Sequence, residues 1–185
     1  NLAEAHSNLG GILSDLGNLQ EAELSTRKAI KLNPYFADAH SNLGIILKNL
    51  GNLQEAEWSY RKAIQLNPDF ANAHYNLGSI LSDLGNLKEA ELSTRKAIEL
   101  NPDFANAHSN LGNILIDLGE LQDAESSTRK AIELMPNLAD AHSNLGAILI
   151  DLGKSEEAEV YTQKAIELNP NYAEAHSNLG IILRD

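Results

Sequence analysis

Between Ala37 and Gly51 the apolar residues Ala39, Leu43, Ile46, Leu47 and Leu50 recur at intervals of three and four, which lines them along one face of an α-helix. Gly51 follows, and a residue that takes positive φ without strain is suited to close a helix C-terminus. A second amphipathic run spans Leu53 to Leu66 and then meets Asn67 and Pro68. Proline cannot extend a helix and disfavours helical geometry in the residue before it, so the run stops there. Charge agrees with that direction: Glu55 and Glu57 lie near the positive N-terminal end, Arg61 and Lys62 toward the negative C-terminal end. The pattern predicts a helical hairpin.

The pattern returns every 34 residues. Histidine occurs only at His6, His40, His74, His108, His142 and His176, and proline only at Pro34, Pro68, Pro102, Pro136 and Pro170. Ala3–Phe36 and Ala71–Phe104 are identical at 28 of 34 positions, so the chain is a tandem array. Full units are expected at 3–36, 37–70, 71–104, 105–138 and 139–172, followed by a lone first helix at 173–185. A single hairpin cannot cover its own apolar face, so stability must come from stacking. With about six buried apolar side chains per unit at roughly 1.5–3 kcal/mol each, stacking is the main favourable term. The last helix keeps Leu179, Ile182 and Leu183 with no following hairpin. The expectation is a piece of a longer array, or end-to-end association with another copy.

Small residues at Gly44, Ala56 and Ala63, leucine at Leu43 and proline at Pro68, repeated in register, make the unit resemble the tetratricopeptide repeat (TPR) over the whole chain. That resemblance implies an all-α, right-handed superhelical solenoid. His40 stands where the family commonly has Trp, Leu47 where Tyr is common, and Thr26, Thr94, Thr128 and Thr162 where an aromatic is common. Core detail is therefore not carried over.

Composition narrows the partners. Fourteen Lys and Arg against 26 Asp and Glu leave a formal charge of -12, which disfavours nucleic acid and anionic membrane surfaces. Without cysteine there are no disulfides or thiolate metal sites. No apolar run reaches bilayer length and no charged-then-apolar leader opens the chain, so a soluble, cytoplasmic protein is expected sooner than an exported one.

The six histidines are the first candidates for chemistry. On a helical wheel His40 borders the apolar face near Gly44 and Leu47. Two imidazole nitrogens would have to lie within about 2 Å of one ion, whereas equivalent helices of adjacent repeats lie roughly 10 Å apart. A structural, semi-buried histidine is expected, with no metal; acid would then charge all six rings and loosen the array. No Ser/His/Asp, Cys/His, phosphate-loop or zinc motif is present, so neither enzyme activity nor a cofactor is expected.

Asparagine two residues after each histidine never changes: Asn8, Asn42, Asn76, Asn110, Asn144 and Asn178. Its side chain offers one acceptor and two donors, matching the backbone of an extended peptide. The same column could instead tie one repeat to the next, or reflect duplication alone. By the resemblance, this side of the first helix lines a concave ligand groove. The units are most similar to those of O-linked N-acetylglucosamine transferases, whose asparagine ladder holds substrate backbones. No glycosyltransferase domain is present, so that similarity implies a way of holding peptides and no reaction.

Glu4, Asp15, Asp38, Asp83, Asp117, Asp140, Asp151, Glu174 and Asp185 share that stripe against Lys48 and Arg184. One carboxylate per repeat supplies too few oxygens for calcium. Ser7, Ser41, Ser109 and Ser143 fill places where TPR modules that grip chaperone C-termini need cations. The expected ligand is a neutral or basic extended segment, with Tyr75, Ile45, Ile116 and Ile150 as side-chain anchors. Leu24, Trp58, Leu92 and Val160 lie opposite the second-helix alanines and either cover a neighbouring helix or form an outer contact row. The function expected is a non-catalytic protein-binding scaffold. A recognition arm of a larger glycosyltransferase-like enzyme and a self-stacking or designed array are the alternatives.

Overall fold

A computed structural model describes residues 1–184 and divides the chain into two compact units, Asn1–Leu100 and Asn101–Asp185. Among the described residues every regular element is an α-helix. The first unit holds α1 (Leu2–Asp15), α2 (Leu19–Leu32), α3 (Ala37–Asn49), α4 (Leu53–Leu66), α5 (Ala71–Asp83) and α6 (Leu87–Leu100). The second holds α7 (Ala105–Asp117), α8 (Leu121–Leu134), α9 (Ala139–Asp151), α10 (Ser155–Leu168) and α11 (Ala173–Ile182). Within each unit successive helices pair as hairpins, and the first helix of one hairpin also touches the first helix of the next. The fold is thus an all-α helical repeat solenoid.

Two punctuation signals set the helix ends. Gly51 adopts φ 80°, while Asn52 N–H reaches back to Leu47 O at 2.8 Å and Gly51 N–H to Lys48 O at 2.9 Å. These bonds satisfy the last carbonyls of α3, and a side chain at Gly51 would strain the backbone. At the other end of the hairpin, Asn67 before Pro68 is extended, with φ -138 and ψ 92, as proline requires of its predecessor.

The second helices contribute alanines to the core and the first helices branched side chains. Ala56, Ala63, Leu47 and Ile80 in the first unit and Ala158, Ala165, Ile148 and Leu149 in the second are fully buried. At Gly10, Gly44, Gly78, Gly112 and Gly146 the second helix of the same hairpin presses close against the first. A Cβ on Gly44 would sit 2.6 Å from the Tyr60 ring, and one on Gly78 would collide with Thr94 Oγ1. Threonine therefore occupies the place of the family's common aromatic and packs directly on the glycine. In the second unit Leu145, Leu149 and Ala158 form the centre, with Ile132, Ile150, Tyr161 and Ile182 packed around it.

Glu–Arg pairs four residues apart, which the sequence presents as a solvated face, also link hairpins. Arg27 bonds Glu23 at 2.7 Å and reaches Glu55 of the next hairpin. Arg61 bonds Glu57 at 2.9 Å and Glu89 at 2.7 Å. In the second unit Arg129 bonds Glu125 at 2.8 Å and Glu157 at 2.7 Å, and Lys154 reaches Glu125 at 2.7 Å. Such partly exposed pairs contribute about 0–1 kcal/mol each.

Candidate functional site

In the first unit a cleft of about 250 Å³ opens along the first helices, lined by Gly11, Ser14, Asp15, Asn42, Ile45 and Ile46. Its location follows from helical spacing: Asn42, Ile45 and Ile46 lie at i, i+3 and i+4 of α3, facing Gly11, Ser14 and Asp15 of α1. The missing side chain at Gly11 keeps this wall low; a Cβ there meets nothing within 4 Å. Asn42 donates Nδ2–H to Ser7 Oγ of the preceding hairpin at 3.1 Å. In the second unit Asn178 donates to Ser143 O at 3.2 Å. At these two positions the asparagine links repeats while its side chain stays half-buried at the surface. Asn8 is exposed, and Asn76, Asn110 and Asn144 are half-buried.

Ser7, Ser41, Ser109 and Ser143 are buried, which corrects their assignment to groove positions. Ser7 meets the adjoining hairpin through the bond from Asn42, while the same column carries the half-buried Tyr75 in the third repeat.

The histidines have a different duty. His40, His74, His108, His142 and His176 each place Nε2 2.8–3.0 Å from the carbonyl of the proline six residues earlier. A carbonyl only accepts, so Nε2 carries the proton and donates it. Each ring thus latches the start of a first helix onto the proline turn that ends the preceding hairpin. His6 lies 3.5 Å from Ser25 Oγ through Nδ1. The latch is readable as two columns a fixed six residues apart, a signal the histidine spacing alone does not reveal. Among the described residues no three of His, Cys, Asp or Glu come together as metal ligands would.

Burial of the rings is uneven, against the expectation of six alike. His40 and His142 are buried; His6, His74 and His108 are intermediate and His176 is exposed. The two buried rings are those covered by an aromatic of the same hairpin. Trp58 stands edge-on to His40 with centroids 6.4 Å apart, and Tyr161 stacks on His142 at 5.9 Å. Burial holds the His40 imidazole below its ordinary pKa; the Pro34 carbonyl opposes that shift and the Lys62 charge adds to it.

Tetratricopeptide repeat profiles match residues 3–36, 71–104 and 139–172 and, in a shifted phase, 26–57, 94–126 and 161–185; a TPR repeat profile matches 46–85. The chain belongs to the tetratricopeptide repeat family. Similar solved structures include YrrB, described as a TPR protein with an unusual peptide-binding site, at 27% identity and TM-score 0.75 over 93% of this chain and 89% of that one. MamA is similar at 27% identity and TM-score 0.78, over 89% of this chain and 96% of its own. Pseudomonas aeruginosa PilF shares the fold at TM-score 0.89 and 22% identity, over 100% of this chain and 85% of that one. No curated protein sequence matches the chain. The TPR fold is a protein-interaction scaffold, and no helix among the described residues is long and apolar enough to cross a membrane.

Within this TPR protein the acidic stripe divides into paired and open carboxylates. Lys48 Nζ lies 3.1 Å from Asp83 and donates to Ser79 Oγ at 2.8 Å, so Asp83 is partly neutralised. Asp140 lies near the Tyr172 hydroxyl; burial first and then the charge of Asp140 push that phenol up to about 12. Asp38, Asp117 and Asp151 are all exposed, and Asp185 lies outside the described residues. Tyr75 is half-buried, and burial raises its hydroxyl pKa. Of the apolar anchors, Ile45 is exposed, Ile150 is half-buried and Ile116 is half-buried.

The outer row is settled. Leu24, Trp58, Leu92 and Val160 are 59–70% exposed, which makes them an outer row; of the four, Trp58 also stands edge-on to His40 of the neighbouring helix.

Proposed function

We propose that the protein is a non-catalytic scaffold that holds an extended, neutral or basic peptide along the first-helix groove, through its asparagine column. The observation that carries this reading is the cleft beside Asn42, where a side chain with both donor and acceptor meets the apolar Ile45 and the carboxylate of Asp15. Such a trio suits a backbone amide, an apolar side chain and a cationic side chain of one strand. Asn42 gives one N–H to Ser7, and its carbonyl oxygen is left to accept from a ligand. Asn76 and Asn144 occupy the same helical position in their own repeats. Similarity to YrrB, whose structure is described as having a peptide-binding site, supports the same mode.

A neutral or basic peptide selected from a random display library, measured by calorimetry against wild type and Asn76→Ala, tests it. Loss of the backbone hydrogen bond at this position should weaken binding by about tenfold, with helicity and Tm unchanged. Equal affinity for both proteins, or selection of acidic peptides only, would overturn the reading.

A further inference from the structure

On the opposite side of the first hairpins, α2, α3 and α4 enclose a cleft of about 280 Å³ lined by Arg27, Ile30, Lys31, His40, Leu43 and Trp58. Two of its walls break the repeat. Trp58 stands where the other copies have Leu24, Leu92, Ser126 and Val160, and Lys31 where they have Gln65, Glu99, Glu133 and Glu167. These departures sit on successive hairpins, 27 residues apart in sequence, yet face one cleft.

The change at Lys31 alters the local charge. In the other copies the preceding lysine is satisfied by this residue: Lys62 donates to Gln65, Lys96 to Glu99, Lys130 to Glu133 and Lys164 to Glu167, at 2.7–2.9 Å. With lysine at both positions, Lys28 and Lys31 cannot form this bond, and among the described residues the cleft gains an unpaired ammonium on its rim. Arg27 beside it is already held by Glu23 and Glu55. At the base lies His40, 3% exposed, whose Nε2–H is committed to Pro34 and whose buried Nδ1 has no partner among the described residues. Apolar walls, an aromatic plate, an unpaired cation and an unsatisfied acceptor are the elements of a small recognition pocket. The volume admits one large side chain.

We propose that this cleft is a second docking site, taking an acidic peptide segment that places one aromatic or branched apolar side chain against Trp58, Ile30 and Leu43 while a flanking carboxylate pairs with Lys31. Charge complementarity selects this occupant: Lys31 puts a cation on the rim where three other copies carry glutamate, and among the described residues that cation lacks a carboxylate. The first-helix groove and this cleft therefore call for ligands of opposite charge.

Trp58 is the sole tryptophan of the protein, so its emission reports occupancy directly. The full chain is titrated with a blocked pentapeptide of glutamates around a central phenylalanine, and with analogues carrying glutamine or lysine for glutamate. The glutamate peptide should give a saturable shift in Trp58 emission, weakened about tenfold by Lys31→Glu or by the glutamine analogue. Lys31→Glu restores the residue of three other copies and should leave helicity intact. Asn76→Ala should not change this titration. The proposal fails if the lysine peptide binds as well as the glutamate peptide, if Lys31→Glu has no effect, or if emission shifts with protein concentration alone, which would make another copy the occupant.

Discussion

Repeat 37–70 and repeat 139–172 use the same backbone plan to different ends. In both, the first helix begins with a buried histidine that donates Nε2–H to the preceding proline carbonyl, at 3.0 Å for His40 and 2.8 Å for His142, and both leave Nδ1 without a partner among the described residues. Above His142, Tyr161 stacks flat with an interplanar angle of 28°, and its hydroxyl takes a 2.9 Å bond from Arg129, whose guanidinium also lies 5.4 Å from the ring centroid. Above His40, Trp58 stands at 69° and 59% exposed, with an open cleft beside it. Repeat identity thus fixes the latch that aligns hairpins, and single departures from it decide whether the surface over the latch is closed or offers a site.

The largest effect separating the two repeats should come from their glycines. Gly44→Ala drives a methyl to within 2.6–2.8 Å of three atoms of the buried Tyr60 ring, which must shift as a whole. A loss of about 2–3 kcal/mol is expected in denaturant unfolding. Gly146→Ala meets Thr162 Oγ1, but among the described residues that hydroxyl has no bond to lose. Thr94, in the same column, shows the alternative, donating to Ala90 O at 2.8 Å. Gly146→Ala should therefore cost only about 1 kcal/mol; equal losses would mean that the aromatic at Tyr60 is no tighter a fit than threonine.

Replacing each covering aromatic by a residue of its own column sharpens the contrast. Tyr161→Ser removes a stacked ring together with the Arg129 contact and should cost about 1–2 kcal/mol. Trp58→Leu, at a largely exposed site, should cost about 0.5 kcal/mol or less while abolishing the acidic-peptide response, followed for this variant by calorimetry. Matching Tm losses would show that Trp58 serves the fold and not a ligand.

Acid distinguishes the repeats more weakly. His40 is held below the ordinary imidazole pKa by burial, so the unfolded chain takes up its proton at higher pH than the folded one. The stability it contributes is present above about pH 6.5 and is lost as pH falls through the lowered folded value. Tm should drop between about pH 7 and about pH 5, and His40→Gln should flatten that part of the curve. An unchanged slope in the variant would assign the transition elsewhere. Smallest of all, Arg27→Lys should change stability by less than about 0.5 kcal/mol, read from the same unfolding curves. A larger loss would make the Glu23 and Glu55 pairs a principal link between hairpins.

Much of this architecture is written in the 34-residue period. The three-and-four spacing from Ala39 to Leu50 and the stops at Gly51 and Pro68 locate α3 and α4 to within a residue or two, because helix ends depend on local chemistry. Links between hairpins are less visible, since they join residues far apart in sequence whose separation is set by stacking. The Arg27–Glu55 and Arg61–Glu89 pairs are both spaced by 28 residues, a distance that means nothing until the hairpins are laid side by side. The same holds for Asn42 and Ser7: either residue alone suggests a groove, and only their contact shows the asparagine tied to the neighbouring repeat. Uneven histidine burial is hidden in the sequence because the covering residues, Trp58 and Tyr161, lie in different columns. In the candidate groove, the cleft at Asn42, Ile45 and Asp15 follows from the helical wheel, whereas the neutralisation of Asp83 by Lys48 needs the neighbouring helix.

On this reading the asparagines serve a ligand and the histidines serve the stack. Nuclear magnetic resonance of the isotope-labelled protein with a display-selected peptide observes both sets of N–H groups at once. Saturable shifts in the side-chain amides of Asn42 and Asn76 are predicted, with the histidine Nε2–H signals unmoved; displaced histidine signals beside unchanged asparagine amides would contradict that division of labour.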